Sequence, residues 1–332
     1  MSPLAIFFLF LINSSLASNT NYNVQNYGAK SDGETDSSEA FLSAWSAACA
    51  STRSSTIYVP RGNYLIRNAY FNGKTCQSKA ITIRIDGTLL APSDYNVIGN
   101  DENWIKFEKV NGISIYGGTF DGQGAALWAC KKSNNKKCPD GTTSSGVSIV
   151  NSQIGTGDDC VSIGPGTSNL WIEGIACGPG HGISIGSLGW KEQELGVQNV
   201  TIKTVTFSGT TNGVRVKTWA RPSNGFVRNV LFQHIVMVNV KNPIIIDQNY
   251  CPNHESCPHK GSGVKISDVT YQDIHGTSAT KVAVKLNCSK SNPCSGITLE
   301  DVNLSYNDHP TKASCVNVSG RVSGLEKPAN CL

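Results

Sequence analysis

The sequence predicts an all-β protein built as a parallel β-helix, and two observations lead to this prediction. The chain has 332 residues, of which 33 are Gly and only 16% are charged, a composition that favours many turns and short strands over long solvated helices. Short phrases in which apolar and polar residues alternate also return along the chain every 23 to 34 residues. Alternation at a period of two is typical of strands, and repeats of this length are typical of stacked units.

The repeated phrases predict where each coil of the β-helix turns. Their anchor positions are Gly112, Gly146, Asn169, Asn199, Asn229, Gly263 and Gly296. Asn and Gly accept positive φ angles, so they would supply the turns, while alternate Val, Ile and Leu side chains point inward. A leucine-rich repeat would need a Leu-dominated consensus and a β-propeller a Trp-Asp signature, and the phrases have neither.

One amphipathic helix is predicted near residues 36 to 49. Asp36 is placed to cap it and Glu39 to complete a capping box. An apolar stripe supports the helix and consists of Ala40, Phe41, Ala44, Trp45 and Ala48. Because the first coil of a solenoid must be covered, we interpret this helix as an N-terminal cap.

The N-terminus is interpreted as a signal peptide covering residues 1–18. This stretch has no charged side chain, an apolar run from Leu4 to Ile12, and small residues at its end. The run is too short to cross a bilayer, and no later segment is long enough either. Residues 19–332 are predicted to form a single β-helix domain.

Cysteine usage predicts disulfide bonds and secretion. The chain has 12 cysteines, and four pairs are close in sequence, namely Cys130/Cys138, Cys160/Cys177, Cys251/Cys257 and Cys288/Cys294. Zinc binding is disfavoured because the sequence has no Cys-x-x-Cys pair. Glycosylation sequons begin at Asn199, Asn287, Asn303 and Asn317, which also fits an extracellular protein.

The charge balance bears on the ligands that the protein could bind. The formal net charge is +4, and the basic residues are too dispersed for a nucleic-acid-binding surface. A mild positive charge still suits an anionic ligand, because long-range attraction raises encounter rates.

Polar residues on consecutive coils predict a site for acid–base chemistry. Superposing the coils by their apolar positions aligns Asp159 with His181 and Asn212. The same superposition puts Ser162, Ser184 and Arg215 in one outward row, and Gly164, Gly186 and Lys217 in the next. A lone Asp-Asp pair is usually a solvated turn, but here it would line a groove with an imidazole and two cations.

The phrases that carry this site resemble the signature motifs of the polygalacturonases, glycoside hydrolase family 28. Three of the four motifs correspond to "GTGDDCVSIG" from Gly155, "GPGHGISIGSLG" from Gly178 and "NGVRVK" from Asn212. "YGAKSDGETD" from Tyr27 and "GTFDGQG" from Gly118 resemble the amino-terminal phrases, so the likeness covers nearly the whole mature chain. It is strongest to the plant members of the family.

The resemblance implies a right-handed, pectin-lyase-like β-helix that hydrolyses α-1,4-galacturonosyl linkages of homogalacturonan with inversion. It implies that Asp158 is the proton donor, that Asp159 is the base that activates water, and that His181 supports the acid. Arg215 and Lys217 would bind a galacturonate carboxylate. The expected protein is a secreted cell-wall monomer that needs neither metal nor cofactor and binds neither nucleic acid nor membrane. Tyr250 is a further candidate substrate contact.

The fourth motif of the family, an Asn-Thr-Asp triplet, has no counterpart in the sequence. At the corresponding distance upstream of Asp159 stands "ACKKSNNKKCPDG", and about two coils are missing by comparison with the family. A solenoid tolerates such a loss, but catalysis is expected to weaken. Asp121 is a poor substitute because it belongs to its own family phrase. Two alternatives stay open: an inactive pectin-binding protein, and a hydrolase of rhamnogalacturonan or xylogalacturonan.

Overall fold

The computed structural model describes residues 20–98, 103–110, 112–132, 143–145, 148–252, 257–258, 260–325, 327–329 and 331–332. Within these ranges the chain forms two helices, a short 3-10 turn and two large sheets. The helices are α1 (Ser38–Ala50) and α2 (Ala125–Lys132), and the 3-10 turn spans Val24–Tyr27. The predicted signal peptide lies outside the described residues.

The larger sheet has 14 described strands. They are β1 (Thr20–Asn23), β2 (Asp32–Asp36), β3 (Ser55–Val59), β4 (Asn63–Leu65), β6 (Ile81–Leu90), β8 (Ile113–Asp121), β10 (Ser148–Gly155), β12 (Ser168–Cys177), β14 (Val197–Ser208), β16 (Phe226–Val240), β18 (Lys265–Ser278), β20 (Cys294–Tyr306), β21 (His309–Pro310) and β23 (Val318–Ser323).

The smaller sheet has nine described strands. They are β5 (Ala69–Asn72), β7 (Asn103–Glu108), β9 (Thr143–Ser145), β11 (Val161–Ile163), β13 (Ile183–Leu188), β15 (Asn212–Trp219), β17 (Asn242–Tyr250), β19 (Val282–Asn287) and β22 (Lys312–Val316). Along most of both sheets each strand pairs in parallel with the strand two places further along the chain. This alternation between sheets confirms the predicted parallel β-helix.

The core consists of columns of apolar side chains stacked coil upon coil. In the larger sheet the register aligns Ile172 with Ile202, Ile202 with Phe232, and Phe232 with Tyr271. The rings of Phe232 and Tyr271 are stacked, with centroids 5.1 Å apart. All four side chains are fully buried, so the period-two alternation in the sequence does mark the inside of the coil.

The turns confirm most of the predicted anchor positions. Gly112, Asn169, Asn199, Asn229 and Gly296 all have positive φ angles. The side-chain amides of the three asparagines form a ladder, with Nδ2 to Oδ1 distances of 3.0 and 2.7 Å.

One predicted anchor is wrong. Because Val230 pairs with Val269, the residue beside Asn229 is Asp268, with a φ angle of 54°, rather than Gly263. Gly263 lies in the loop before β18, where a Cβ atom would stand 2.2 Å from the backbone nitrogen of Ser223. The loop of this coil is longer than the others, and sequence periodicity alone misplaced its turn.

Helix α1 packs on the first coils of the β-helix, as predicted for a cap. The ring centroid of Phe41 lies 5.9 Å from that of Tyr64, and Trp45 lies 5.3 Å from Phe71 and 5.9 Å from Phe107. The whole predicted apolar stripe is buried.

The predicted capping box of this helix is wrong. The residue at the N-cap is Ser37, one later than expected, and the Asp36 carboxylate instead accepts hydrogen bonds from the backbone and hydroxyl of Ser38. With the cap at Ser37, Glu39 stands too early in the helix to complete a box, which needs the third residue after the cap.

Disulfide bonds join the cysteines predicted from sequence proximity wherever both partners are described. Cys160–Cys177, Cys251–Cys257 and Cys288–Cys294 are confirmed, and Cys49–Cys76 and Cys315–Cys331 are two further bonds. Cys138 lies outside the described residues, so its predicted bond to Cys130 stays a prediction.

In the described chain, neither helix has the length and apolar character needed to cross a bilayer.

Candidate active site

The predicted site residues lie on three successive coils of the β-helix. Asp158 and Asp159 occupy the turn between β10 and β11, and His181 occupies the turn before β13. Arg215 and Lys217 follow on β15, which pairs with β13. The structure therefore brings all five residues into one region, although they span almost 60 positions of the sequence.

Backbone hydrogen bonds hold the two turns in register. The N–H group of His181 donates to the carbonyl of Asp158 at 2.7 Å, and that of Cys160 donates to Gly182 at 2.7 Å. The Asn212 side chain donates to the carbonyl of His181 at 3.0 Å. The predicted alignment of Asp159, His181 and Asn212 therefore agrees with the contacts. The Cys160–Cys177 disulfide fixes the end of the turn that carries the two carboxylates.

Asp159 is fully buried and bound by two cations. Its Oδ2 accepts a hydrogen bond from Nζ of Lys217 at 2.7 Å, and its Oδ1 accepts one from Nη2 of Arg215 at 2.9 Å. The side chains of Lys217 and Arg215 are themselves only 7% and 13% exposed. A carboxylate shielded from solvent needs such partners, because an unpaired buried charge lowers the stability of the fold by several kcal/mol.

Ser184 links the carboxylate to the arginine, a role that sequence reasoning missed. The predicted row is confirmed, since Ser162 pairs with Ser184 and Ser184 with Arg215. Although Ser184 lies in this outward row, it is fully buried. Its hydroxyl donates to Asp159 Oδ1 at 2.8 Å and accepts from Nε of Arg215 at 2.9 Å. An outward serine beside two charged side chains was the available signal.

Asp158 differs from its neighbour because it reaches solvent. Its side chain is 20% exposed, and its Oδ1 lies 2.9 Å from Nδ1 of His181, which is 24% exposed. The same oxygen accepts the backbone N–H of Asp159 at 2.7 Å. Burial opposes ionisation of Asp158, but the His181 hydrogen bond, the charges of His181 and Lys217 and this N–H outweigh it and lower the pKa of the carboxyl below its ordinary value.

The two adjacent carboxylates thus have separate partners, which limits their mutual repulsion. Asp159 is neutralised by Arg215 and Lys217, and Asp158 is bound to His181. Asp158, Asp159 and His181 also offer ligand atoms within 4.8 Å of one another, a spacing that suits a cation. Both oxygens of Asp159 already accept hydrogen bonds from cationic side chains, which disfavours this use.

The coil before the carboxylate pair is described only in part. Strand β8 pairs directly with β10, so that Asp121 lies beside Gly155, and β9 pairs with β11 through Ser145 and Ser162. Asp121 is exposed, and its Oδ1 accepts the N–H group of Gln123 in its own turn. Of residues 129–141, which stand at the position of the missing triplet, residues 133–141 lie outside the described residues.

The fold and the site together define a class of protein, the β-helix glycoside hydrolases. The chain belongs to Glycosyl hydrolases family 28, whose family model matches residues 49–143 and 140–329. The two matched segments meet at residues 140–143, within the stretch where coils were expected to be missing.

Curated plant proteins are similar over nearly the full length of the chain. A polygalacturonase of Prunus persica is 53% identical, covering 99% of this chain and 98% of the relative. An exopolygalacturonase of Platanus acerifolia is 39% identical, covering 93% and 97%. The Prunus persica alignment spans 385 positions and this chain has 332 residues, so at least 53 positions are filled by the relative alone.

Solved structures share the right-handed β-helix fold. Endo-xylogalacturonan hydrolase from Aspergillus tubingensis superposes with a TM-score of 0.62 at 20% identity, covering 92% of this chain and 100% of the other. The polygalacturonase from Erwinia carotovora ssp. carotovora superposes with a TM-score of 0.55 at 22% identity, covering 92% and 97%.

Proposed function

We propose that the protein hydrolyses α-1,4-galacturonosyl linkages of homogalacturonan with inversion at the anomeric carbon. The observation that carries this proposal is the solvent-reaching Asp158, hydrogen-bonded to His181 and adjacent to a buried carboxylate held by two cations. The family and the names of the plant relatives support the choice of pectin as substrate.

The roles follow from burial and partners. Asp158 is the proton donor because it is the carboxyl of the pair that reaches solvent, and His181 positions it through the 2.9 Å contact. Asp159 is the base that activates water. Arg215 and Lys217 bind a substrate carboxylate, for which Arg supplies a planar fork and Lys a point charge.

Substrate binding would prepare both carboxylates for these roles. A galacturonate carboxylate competes with Asp159 for Lys217 and Arg215, so its arrival releases an oxygen of Asp159 to accept a proton from water. The negative charge of the substrate carboxylate also offsets the positive charge of Lys217, which lowers the pKa of Asp158 in the free enzyme. Asp158 therefore gains its proton more readily in the complex than in the free enzyme.

The test is release of reducing ends from polygalacturonate by the purified protein, with NMR to follow the anomer formed first. Asp158→Asn should abolish release, and the initial product of the wild type should be the inverted β anomer. Asp273→Asn, which alters an exposed carboxylate bound to His234 and His275 on the larger sheet, is the matched control. Binding of polygalacturonate without cleavage would contradict the proposal and favour a pectin-binding protein.

The proposed setting is the extracellular cell wall, where the chain acts as a single-domain monomer. The disulfide bonds described above support an oxidising compartment. The N-terminal apolar stretch supports export.

A further inference from the structure

Three aromatic side chains form a continuous row that begins beside the candidate active site. Trp219 ends β15 and pairs with Tyr250, which ends β17, after a register shift of one residue, and their ring centroids are 5.4 Å apart. Trp190 follows β13, and its ring lies 4.7 Å from that of Trp219 in an edge-to-face arrangement. The row therefore crosses three successive coils on the side of the molecule that carries Arg215 and Lys217.

The row and the site share their cations. Nζ of Lys217 lies 5.2 Å from the centroid of the Tyr250 ring, and the guanidinium carbon of Arg215 lies 5.8 Å from it. Contacts therefore run from Arg215 and Lys217 to Tyr250, from Tyr250 to Trp219, and from Trp219 to Trp190.

Arg221 adds a positive charge at the far end of the row. Its guanidinium carbon lies 3.8 Å from the centroid of Trp190 and 5.6 Å from that of Trp219. Stacking on the ring holds the planar guanidinium group in one orientation, so Arg221 loses less conformational entropy when it binds a carboxylate. In the described part of the chain, no acidic side chain forms a salt bridge with Arg221.

The exposure of Trp190 is hard to explain by folding alone. Its side chain is 51% exposed, and a large ring left in water forgoes much of the free energy of burial. Exposed aromatic surface next to a polar site is typical of ligand-binding grooves. A uronic acid residue has an apolar face of C–H groups that an indole ring can cover and a carboxylate that a guanidinium can bind.

We propose that Trp190, Trp219 and Arg221 form an additional binding surface for a galacturonate residue of the polysaccharide, beyond the residue held by Arg215 and Lys217. Trp190 and Trp219 contact the sugar ring, and Arg221 binds its carboxylate. This proposal rests on the proposed function, because the occupant is the chain that the active site cleaves.

The surface predicts a dependence on substrate length. In Trp190→Ala, KM for polygalacturonate should rise about tenfold, the size expected when one aromatic contact is lost, with kcat within about twofold of the wild type. KM for digalacturonate, too short to reach this surface from the active site, should not change. Arg221→Gln should show the same length dependence, and Trp190→Phe should restore most of the affinity.

The matched control is Trp171→Ala. Trp171 is 43% exposed and also has a cation over its ring, since Nζ of Lys203 lies 4.7 Å from the centroid, but it stands on the larger sheet. Its replacement should leave both kinetic constants unchanged. If Trp190→Ala changes KM for polygalacturonate no more than Trp171→Ala does, the surface does not bind the polysaccharide.

Equilibrium binding separates this proposal from the proposed function. Two proteins are titrated with polygalacturonate by calorimetry: the Asp158→Asn variant and the double variant that also carries Trp190→Ala. Because neither is expected to cleave the polymer, the titrations measure its binding affinity alone. A roughly tenfold weaker affinity in the double variant supports the surface even if the wild type proves unable to hydrolyse the polymer. If Trp190→Ala hydrolyses polygalacturonate with the KM of the wild type, the additional binding surface is wrong and the proposed function stands. If the polymer does not bind at all, both proposals are wrong.

Discussion

At the scale of single residues, the two adjacent aspartates show how neighbours in sequence acquire different chemistry. Asp159 is fully buried against Arg215 and Lys217, whereas Asp158 reaches solvent and contacts His181. Identical side chains can act as acid and base only when their surroundings differ in this way.

The contact with His181 makes a prediction about pH. His181→Ala removes the hydrogen bond and the charge of His181, so burial, which raises the pKa of Asp158, is then opposed by the Lys217 charge and the Asp159 N–H alone. The protonated donor then persists to higher pH, so the alkaline limb of the kcat/KM profile should move upward. If the alkaline limb stays at the same pH in His181→Ala, even with a lower maximal kcat/KM, the result would contradict Asp158 as the proton donor. Ser162→Ala, in the neighbouring outward row, serves as the control for local repacking.

Substrate binding makes a second prediction about pH, within the wild type itself. Because the substrate carboxylate is proposed to compete for Lys217, the alkaline limb of kcat should lie at higher pH than that of kcat/KM. Initial rates across pH at low and saturating polygalacturonate measure the two limbs. Coincident limbs would mean that substrate does not relieve the Lys217 charge.

The lowered pKa of Asp158 also affects stability. Since its folded-state pKa lies below the ordinary value of 3.8, Asp158 contributes stability above about pH 3.8 that is lost as pH falls through the folded-state pKa. The His181→Ala variant should therefore lose less of its unfolding free energy on acidification than the wild type does.

The buried carboxylate makes a prediction about stability at neutral pH. Asp159→Asn leaves Arg215 and Lys217 buried without their anion, and should lower the free energy of unfolding by about 3 to 5 kcal/mol. Denaturant unfolding measures the loss. Asp273→Asn, whose partners His234 and His275 are about half exposed, should cost less than about 1 kcal/mol. Equal losses in the two variants would mean that the buried cluster does not stabilise the fold.

At the scale of elements, three consecutive strands of the smaller sheet, β11, β13 and β15, each position one part of the site, because they pair with one another in register. The Cys160–Cys177 disulfide, with a sequence separation of 17, joins the residue directly after Asp159 to the end of β12. The Cys315–Cys331 disulfide closes a loop of similar length, 16 residues, near the C-terminal end of the chain.

These two disulfides allow a matched comparison. Cys160→Ala with Cys177→Ala should cost about 3 kcal/mol of stability and also reduce kcat, because the catalytic turn loses its anchor. Cys315→Ala with Cys331→Ala should cost a similar amount of stability and leave kcat unchanged at a temperature where both variants stay folded. Loss of kcat in both pairs would assign the effect to general destabilisation.

At the scale of the whole molecule, the β-helix allows coils to be lost while the stack persists. Strand β8 pairs directly with β10, and the core columns continue through the later coils. The break between the two segments matched by the family model falls before β10, and the Prunus persica alignment has at least 53 positions that this chain does not fill. That number agrees with about two coils of the observed repeat length.

The loss of coils makes a prediction about turnover. The resemblance to the family implies that the missing Asn-Thr-Asp triplet would supply a second carboxylate to activate water, so kcat on polygalacturonate should lie about 10² to 10⁴ below that of a relative that keeps the triplet. Side-by-side assays of the purified protein and of a family member whose sequence contains the Asn-Thr-Asp triplet measure the difference. Equal rates would mean that Asp159 needs no second carboxylate. A chimera with the relative's coils inserted before β10 should recover the rate.

Much of the fold could be predicted because its signals are local. Alternation at a period of two and the Asn and Gly turn residues recur within each coil, so Asn169, Asn199 and Asn229 could be aligned without a structure. The alignment failed at Gly263, where a longer loop shifted the turn to Asp268. Loop length is not encoded in the strand pattern, and only pairing between coils reveals it.

The sequence by itself predicted the β-helix from phrases repeated along the chain, the N-terminal helix from its apolar stripe, and three of the five described disulfides from the proximity of their cysteines. The five proposed site residues came from the superposition of the coils together with the resemblance to the family motifs. The tertiary structure alone decided that Asp159 and Ser184 are buried against Arg215 and Lys217, and that Trp190, Trp219 and Arg221 contact one another on the same sheet. Burial, and contact between residues on different coils, depend on how neighbouring coils pack against one another, and this packing exists only in the folded stack.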